Sequence, residues 1–153
     1  MNILENIELA KQTSLTRKLT LNGITKIYPV YKIHIDALYY NDQNDRIASW
    51  ISQYKDENGI ESLTGLEREK YNDIIEKFIV YSNPMSIEKT QNNIQLVGQR
   101  EPGVVLSDGR IIDGNRRYTC IRRISKSSPD NCWFEAVVLG NNFDMESSKK
   151  AIK

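Results

Sequence analysis

The sequence is poor in the residues from which metal centres, disulfide frameworks and membrane spans are built. It holds one histidine, His34, and two cysteines, Cys120 and Cys132, with no CxxC spacing. That is too few ligands for a zinc site. Two reduced, buried thiols in a reducing cytoplasm are expected instead. No apolar run approaches the ~20 residues of a membrane span. The N-terminus, Met1 to Glu8, lacks the basic and apolar regions of a signal peptide. A cytoplasmic protein with no membrane partner is the expectation. An excess of one charge is missing as well: 21 basic residues face 20 acidic ones. This argues against a surface that is one continuous nucleic-acid footprint and leaves a local patch open. There is no internal repeat and no low-complexity tract.

What is there suits one ordinary domain of 153 residues, with 39% hydrophobic residues available for a core. Residues 1–24 are weakly patterned and read as an N-terminal arm, less protected than the remainder. From Ile27 the pattern changes. Tyr31, Ile33 and Ile35 alternate with Lys32, His34 and Asp36, the period of a half-buried strand. A polar loop, Tyr39 to Asp45, follows. Ile47, Trp50, Ile51 and Tyr54 then fall at helical spacing, and Asn58-Gly59 ends that helix. A second helix is predicted from Thr64 to Tyr81, with Thr64 and Glu67 as a capping box and its apolar stripe packed on the core. Asn83-Pro84 breaks it. Ser86 is the expected cap of a third helix that Gly98 stops. Gly103–Leu106 and Arg110–Ile112 read as strands about the hairpin turn Asp108-Gly109. Asn115 to Ile124 reads as a helix and Trp133 to Leu139 as a closing strand. The fold class is α+β: a small mixed sheet flanked by helices, over residues 25–145. The tail, 146–153, ends in mid-pattern, as in a chain cut from a longer protein.

The chemistry concentrates at Asp113-Gly114-Asn115-Arg116-Arg117. A strand that turns through glycine into a helix start presents free backbone N–H groups and the positive end of the helix dipole. That is a general anion site. Two arginines follow at once, and their planar heads suit phosphate oxygens. Gly114 permits close approach or positive φ. Asp113 either holds Mg²⁺ beside a phosphate or caps the helix. Arg122, Arg123 and Lys126 extend the arginines into a basic stripe whose ordinary role is a solvated helix face. Trp50 and Trp133 are expected in the core, and His34 on a solvated strand face.

The run Gly98-Gln99-Arg100-Glu101-Pro102-Gly103-Val104-Val105-Leu106, continued by Asp108-Gly109-Arg110-Ile111-Ile112-Asp113-Gly114-Asn115-Arg116-Arg117-Tyr118, resembles the N-terminal domain of the ParB family. There a helix and glycine lead to a short strand, a hairpin and a G-E-R-R helix start. Asn41-Asp42-Gln43-Asn44-Asp45-Arg46 stands where that family has an N-P-x-x-x-R-like box. The resemblance covers about residues 27–140 and extends to the superfamily of sulfiredoxins and free-serine kinases. It implies that Gly114, Asn115, Arg116 and Arg117 contact a nucleoside triphosphate, CTP or ATP with Mg²⁺. Arg46 would approach from the first box, supported by Asn44 and Asn41. Asn115 replaces the family's Glu, which puts metal-assisted hydrolysis in doubt unless Asp113 substitutes. It also replaces the sulfiredoxin Cys, which disfavours sulfinic acid reduction.

Three readings follow. In the first, the chain is a ParB-like nucleotide-dependent switch linked to DNA or to plasmid or chromosome maintenance, with a homodimer as a possible partner state. In the second, it is an enzyme on the same fold, a kinase or ParB-like nuclease, with Asp42, Asp45 or Asp113 as its base. In the third, it is a degenerate domain used for protein contacts. No helix-turn-helix signature supports sequence-specific DNA reading.

Overall fold

A computed structural model describes residues 2–140. The fold is α+β, with a five-stranded mixed sheet and four α-helices among these residues. The strands are β1 (Ala10–Leu21), β2 (Ile24–His34), β3 (Gly103–Leu106), β4 (Ile111–Asp113) and β5 (Trp133–Leu139). Their spatial order is β1-β2-β5-β3-β4, antiparallel except for the β3–β5 pair. The helices are α1 (Ala48–Asn58), α2 (Arg68–Ser82), α3 (Pro84–Val97) and α4 (Asn115–Ser125). The stretch 146–153 lies outside the described residues.

The N-terminal stretch read as an arm contains β1, paired along its length with β2. Asn22 and Gly23, both at positive φ, make the connecting turn. This is the type I′ geometry that matches strand twist. Between Gln12 and Thr16 the register slips. Thr13 closes that irregularity, its hydroxyl donating to the Val30 carbonyl at 2.8 Å. The sheet thereby acquires two cores. On one face, Ile33, Val105, Ile111, Phe134 and Ala136 pack with the helices. On the other, Val30, Val104, Leu106, Ile112 and Val137 are covered by Leu19 and Leu21 of β1. β1 buries only Ala10 at its start and Leu19 and Leu21 at its far end, which is why its apolar pattern is sparse.

Helix ends follow local chemistry with two departures from the sequence reading. The Thr64/Glu67 capping box does not form. Thr64 lies in a 3-10 turn, Leu63–Gly65, where its N–H is taken by the Ser62 hydroxyl at 3.2 Å. The helix α2 starts only at Arg68. Asn83, not Ser86, caps α3, its side chain accepting from Ser86 N at 3.2 Å with Pro84 in the first turn. Proline there sacrifices an N–H that has no helical partner. Trp50 and Trp133 are half-buried at the margin of the core rather than inside it. Trp50 leans on Phe78, and Trp133 is edge-on to His34 at 5.4 Å. The His34 ring nitrogen accepts from Asp36 N.

The basic stripe dissolves on folding. Arg122 is buried against α2, where Glu69, Asp73 and Glu76 bind its guanidinium at 2.9, 3.0 and 3.1 Å. It also lies over the rings of Tyr40 and Tyr118. A helical arginine that meets three carboxylates one turn apart on a neighbouring helix is a packing element and not a solvated cation.

Two glycines make room for one ring. A Cβ on Gly103 would stand 2.6 Å from the Phe134 ring and 2.5 Å from the Asp113 carbonyl; one on Gly114 would stand 2.9 Å from the same ring. Gly103→Ala is therefore expected to cost about 2 kcal/mol by overpacking, lowering the melting temperature by roughly 4–8 °C. Arg122→Ala is expected to cost about 3 kcal/mol, because Glu76 is left with little solvent and only the Lys126 ammonium beside it. Thermal and urea unfolding of both variants check these values.

Candidate functional site

The site is built where two distant segments meet. The first is the loop after β2. Asn72 of α2 holds it by a two-pronged contact: its amide oxygen accepts from Tyr40 N, and its amide nitrogen donates to the Leu38 carbonyl, both at 3.1 Å. Tyr71 donates to the Tyr40 carbonyl at 2.7 Å. Tyr118 of α4 donates to the carbonyls of Ile35 and Leu38. Burial pushes the hydroxyls of Tyr40, Tyr71 and Tyr118 above the ordinary tyrosine range, so all three keep their protons and act as donors.

Beyond this anchor the loop curls through two asparagine turns. Asn41 accepts from Gln43 N, and Asn44 from Arg46 N, each at 3.0 Å. These local bonds replace backbone ladders, the usual role of asparagine in a turn. They lead into α1.

The second segment is the start of α4. Gly114 occupies the left-handed region at φ 111° and no side chain caps the helix. The amides of the first turn thus remain unsatisfied by any side-chain acceptor, and Asp113 does not act as a cap. Thr119 locks this turn to the first segment. Its hydroxyl donates to the Asn115 carbonyl at 2.7 Å. Having spent its proton there, it accepts from the Tyr40 hydroxyl at 2.7 Å.

Between the segments lies a cavity of about 500 Å³, a size that fits a small-molecule ligand. Asn44, Arg46, Gly114, Asn115, Arg116 and Arg117 all line it, as does Asp113. Asn41, Asp42 and Asp45 do not. Arg100 and Glu101, between α3 and β3, complete the polar wall, and α3 adds Thr90 and Asn93. The sequence reading gave these four no role. Arg100 and Glu101 lie in the run that carries the family resemblance, but nothing about their spacing marks them as wall residues.

The wall carries four arginines against two carboxylates. Arg117 is half-buried, with Glu101 at 3.3 Å and Asp113 at 3.7 Å. Arg17 reaches from β1 to the same Asp113 carboxylate at 3.4 Å and donates to the Pro102 carbonyl. Among the described residues, Arg46, Arg100 and Arg116 have no carboxylate partner. The Asn115 side-chain oxygen and the Arg117 Nε are buried without a hydrogen-bond partner. Such atoms are costly in an empty site and useful in a filled one.

The same geometry limits metal chemistry by protein ligands. No three His, Cys, Asp or Glu side chains cluster among the described residues. Asp113 already faces two guanidinium groups. These residues do not form a cage for Mg²⁺, which is ordinarily held by one or two carboxylates plus substrate phosphates.

Cys120 is buried and its thiol lies 3.4 Å from the Ile87 carbonyl; Cys132 is half-buried. Burial pushes the Cys120 thiol up to about 11, against a weaker opposing pull from Arg123 and Arg116. A raised thiol pKa means less thiolate at neutral pH, about a hundredfold less than for an ordinary thiol. Alkylation at pH 8 is expected to label Cys132 well before Cys120, as read by mass spectrometry over time. Compared with protein-family models, with curated proteins and with solved structures, the chain has no match.

Proposed function

We propose that this chain is a ParB-like nucleotide-binding module that takes a nucleoside triphosphate, CTP or ATP, at the start of α4. One observation carries the reading. The cavity joins the loop residues Asn44 and Arg46 to an uncapped helix start with Arg116 and Arg117, the two segments that the family resemblance singles out. A polyanion there would meet free backbone N–H groups, the helix dipole and several guanidinium groups together. The remaining wall, with Ile79, Ile87 and Ile94 beside Thr90 and Asn93, is apolar enough for a base and polar enough to orient it. Bound nucleotide then acts as a switch for DNA contact or dimerisation.

The enzymatic alternative is less well supported. Phosphoryl transfer needs a positioned base near the transferred group. Asp42 and Asp45 lie off the cavity, and Asp113 is occupied by Arg17 and Arg117. A binding module needs no such base.

Isothermal titration with CTP, ATP and GTP, each with and without Mg²⁺, tests the proposal. Losing one charge-assisted contact typically costs ~1.5–3 kcal/mol, or roughly tenfold to more than a hundredfold in affinity. Arg117→Ala is expected to weaken triphosphate binding at least about tenfold. Arg123→Ala is the control, since Arg123 lines a separate surface with Glu76 and Gln91. Arg122 is unsuitable because it holds α4 to α2. Equal losses from Arg117→Ala and Arg123→Ala would reduce the site to a diffuse field. No binding of any triphosphate would leave a domain that works through protein contacts.

A further inference from the structure

We infer that Arg17 is a positioning residue of the anion site, which it serves from the opposite edge of the sheet by holding Asp113 and offsetting its charge. The inference rests on the triphosphate reading. In the order β1-β2-β5-β3-β4, strands β1 and β4 are the two edges. They nevertheless meet. Only Val30–His34 of β2 pair with β5, and the remainder of the hairpin has only itself for a strand partner. Arg17, Leu19 and Leu21 alternate along β1 and so point to one face. Leu19 and Leu21 are buried in the same apolar cluster as Ile112 of β4. The hairpin therefore curls back over that face, a movement that strand twist favours.

Arg17 is the polar end of this closure. Its guanidinium donates to the Pro102 carbonyl at 2.6 Å and stands 3.4 Å from the Asp113 carboxylate. Pro102 follows Arg100 and Glu101 of the cavity wall, and Asp113 precedes Gly114. Arg17 itself is not part of the lining. It holds two pieces of the wall from outside.

The Asp113 carboxylate is shared. Its Oδ2 has Arg17 at 3.4 Å and Arg117 at 3.7 Å. Without Arg17, that carboxylate would repel an incoming polyanion and would also keep Arg117 for itself. Arg17 offsets the repulsion and competes for the carboxylate, which leaves Arg117 to the ligand. Glu101, the other carboxylate on Arg117, is largely exposed, so water can solvate it when a phosphate takes its place.

A clasp that only closes the sheet would make the same two contacts. The two roles differ in what Asp113 does once Arg17 is gone. For a clasp, Arg17 and Asp113 are partners, and losing both is no better than losing one. For charge compensation, losing Asp113 as well removes the very charge that Arg17 offsets.

The test is a double-mutant cycle, read by isothermal titration of the intact chain with CTP, ATP, GTP and inorganic tripolyphosphate. Arg17→Gln is expected to weaken binding at least about fivefold, because a full carboxylate charge then faces a ligand of several negative charges. Adding Asp113→Asn to Arg17→Gln should return affinity to within about twofold of the unmutated chain, although the melting temperature stays lowered. Arg17→Lys keeps the charge and should bind within about twofold of the unmutated chain. Unchanged affinity in Arg17→Gln would overturn the inference, as would failure of Asp113→Asn to restore it. If Arg17→Gln does not fold, Arg17→Lys decides: a tenfold loss there would mean that geometry and not charge is at stake. Binding that ignores the whole cycle would remove the role of Arg17 and leave the triphosphate reading standing. No binding of any of the four anions by the unmutated chain would overturn both.

Discussion

Tyr40 is the side chain on which the arrangement of the site depends. It is fully buried, and its backbone and hydroxyl tie three elements to one point. Asn72 and Tyr71 of α2 hold its main chain, and its hydroxyl donates to Thr119, which in turn holds the first turn of α4. Its ring stands edge-on to Tyr118 at 4.9 Å, and Tyr118 stands edge-on to Phe134 at 5.8 Å. A buried polar chain of this kind is stabilising only when every member is satisfied. Here the satisfaction fixes the distance between the loop and the helix start, and so the shape of the cavity between them.

Phe134 works from the opposite side. Its ring fills the space that side chains on Gly103 and Gly114 would occupy. The turn into α4 can therefore lie directly on the sheet, with its N–H groups facing outward. Glycine at 114 thus serves two ends, a left-handed backbone and a ring beneath it. The helix α2 is equally bound to the site. It clamps the loop through Asn72 and clamps α4 through the three carboxylates around Arg122.

Much of this was legible in the sequence, for identifiable reasons. Strands β3 and β4 and their turn were readable because Asp108-Gly109 sits between short apolar runs. The start of α4 was readable because Gly114 and two arginines fall within the five residues Asp113 to Arg117, the pattern of a glycine turn into a basic helix start. The first strand was not read, although Asn22-Gly23 is a strong hairpin signal. Its flanks lack alternation, since β1 buries only Ala10, Leu19 and Leu21. Arg122 was misread because its partners lie about 50 residues away on α2, where no local pattern points to them. Asn72 was overlooked for the same reason: an asparagine within a helix looks neutral until its target is known.

The two halves of the cavity are also far apart in time. Asn44 leaves the ribosome about 70 residues before Gly114, an interval of roughly 4 to 14 s at ordinary elongation rates. During that interval Tyr40 can already meet α2, its neighbour 31 or 32 residues on, but it has no Thr119. The parallel pairing of β3 with β5 waits longer still, for a strand that ends at Leu139. The cavity therefore takes shape only after both of its segments and the strand beneath them have left the ribosome.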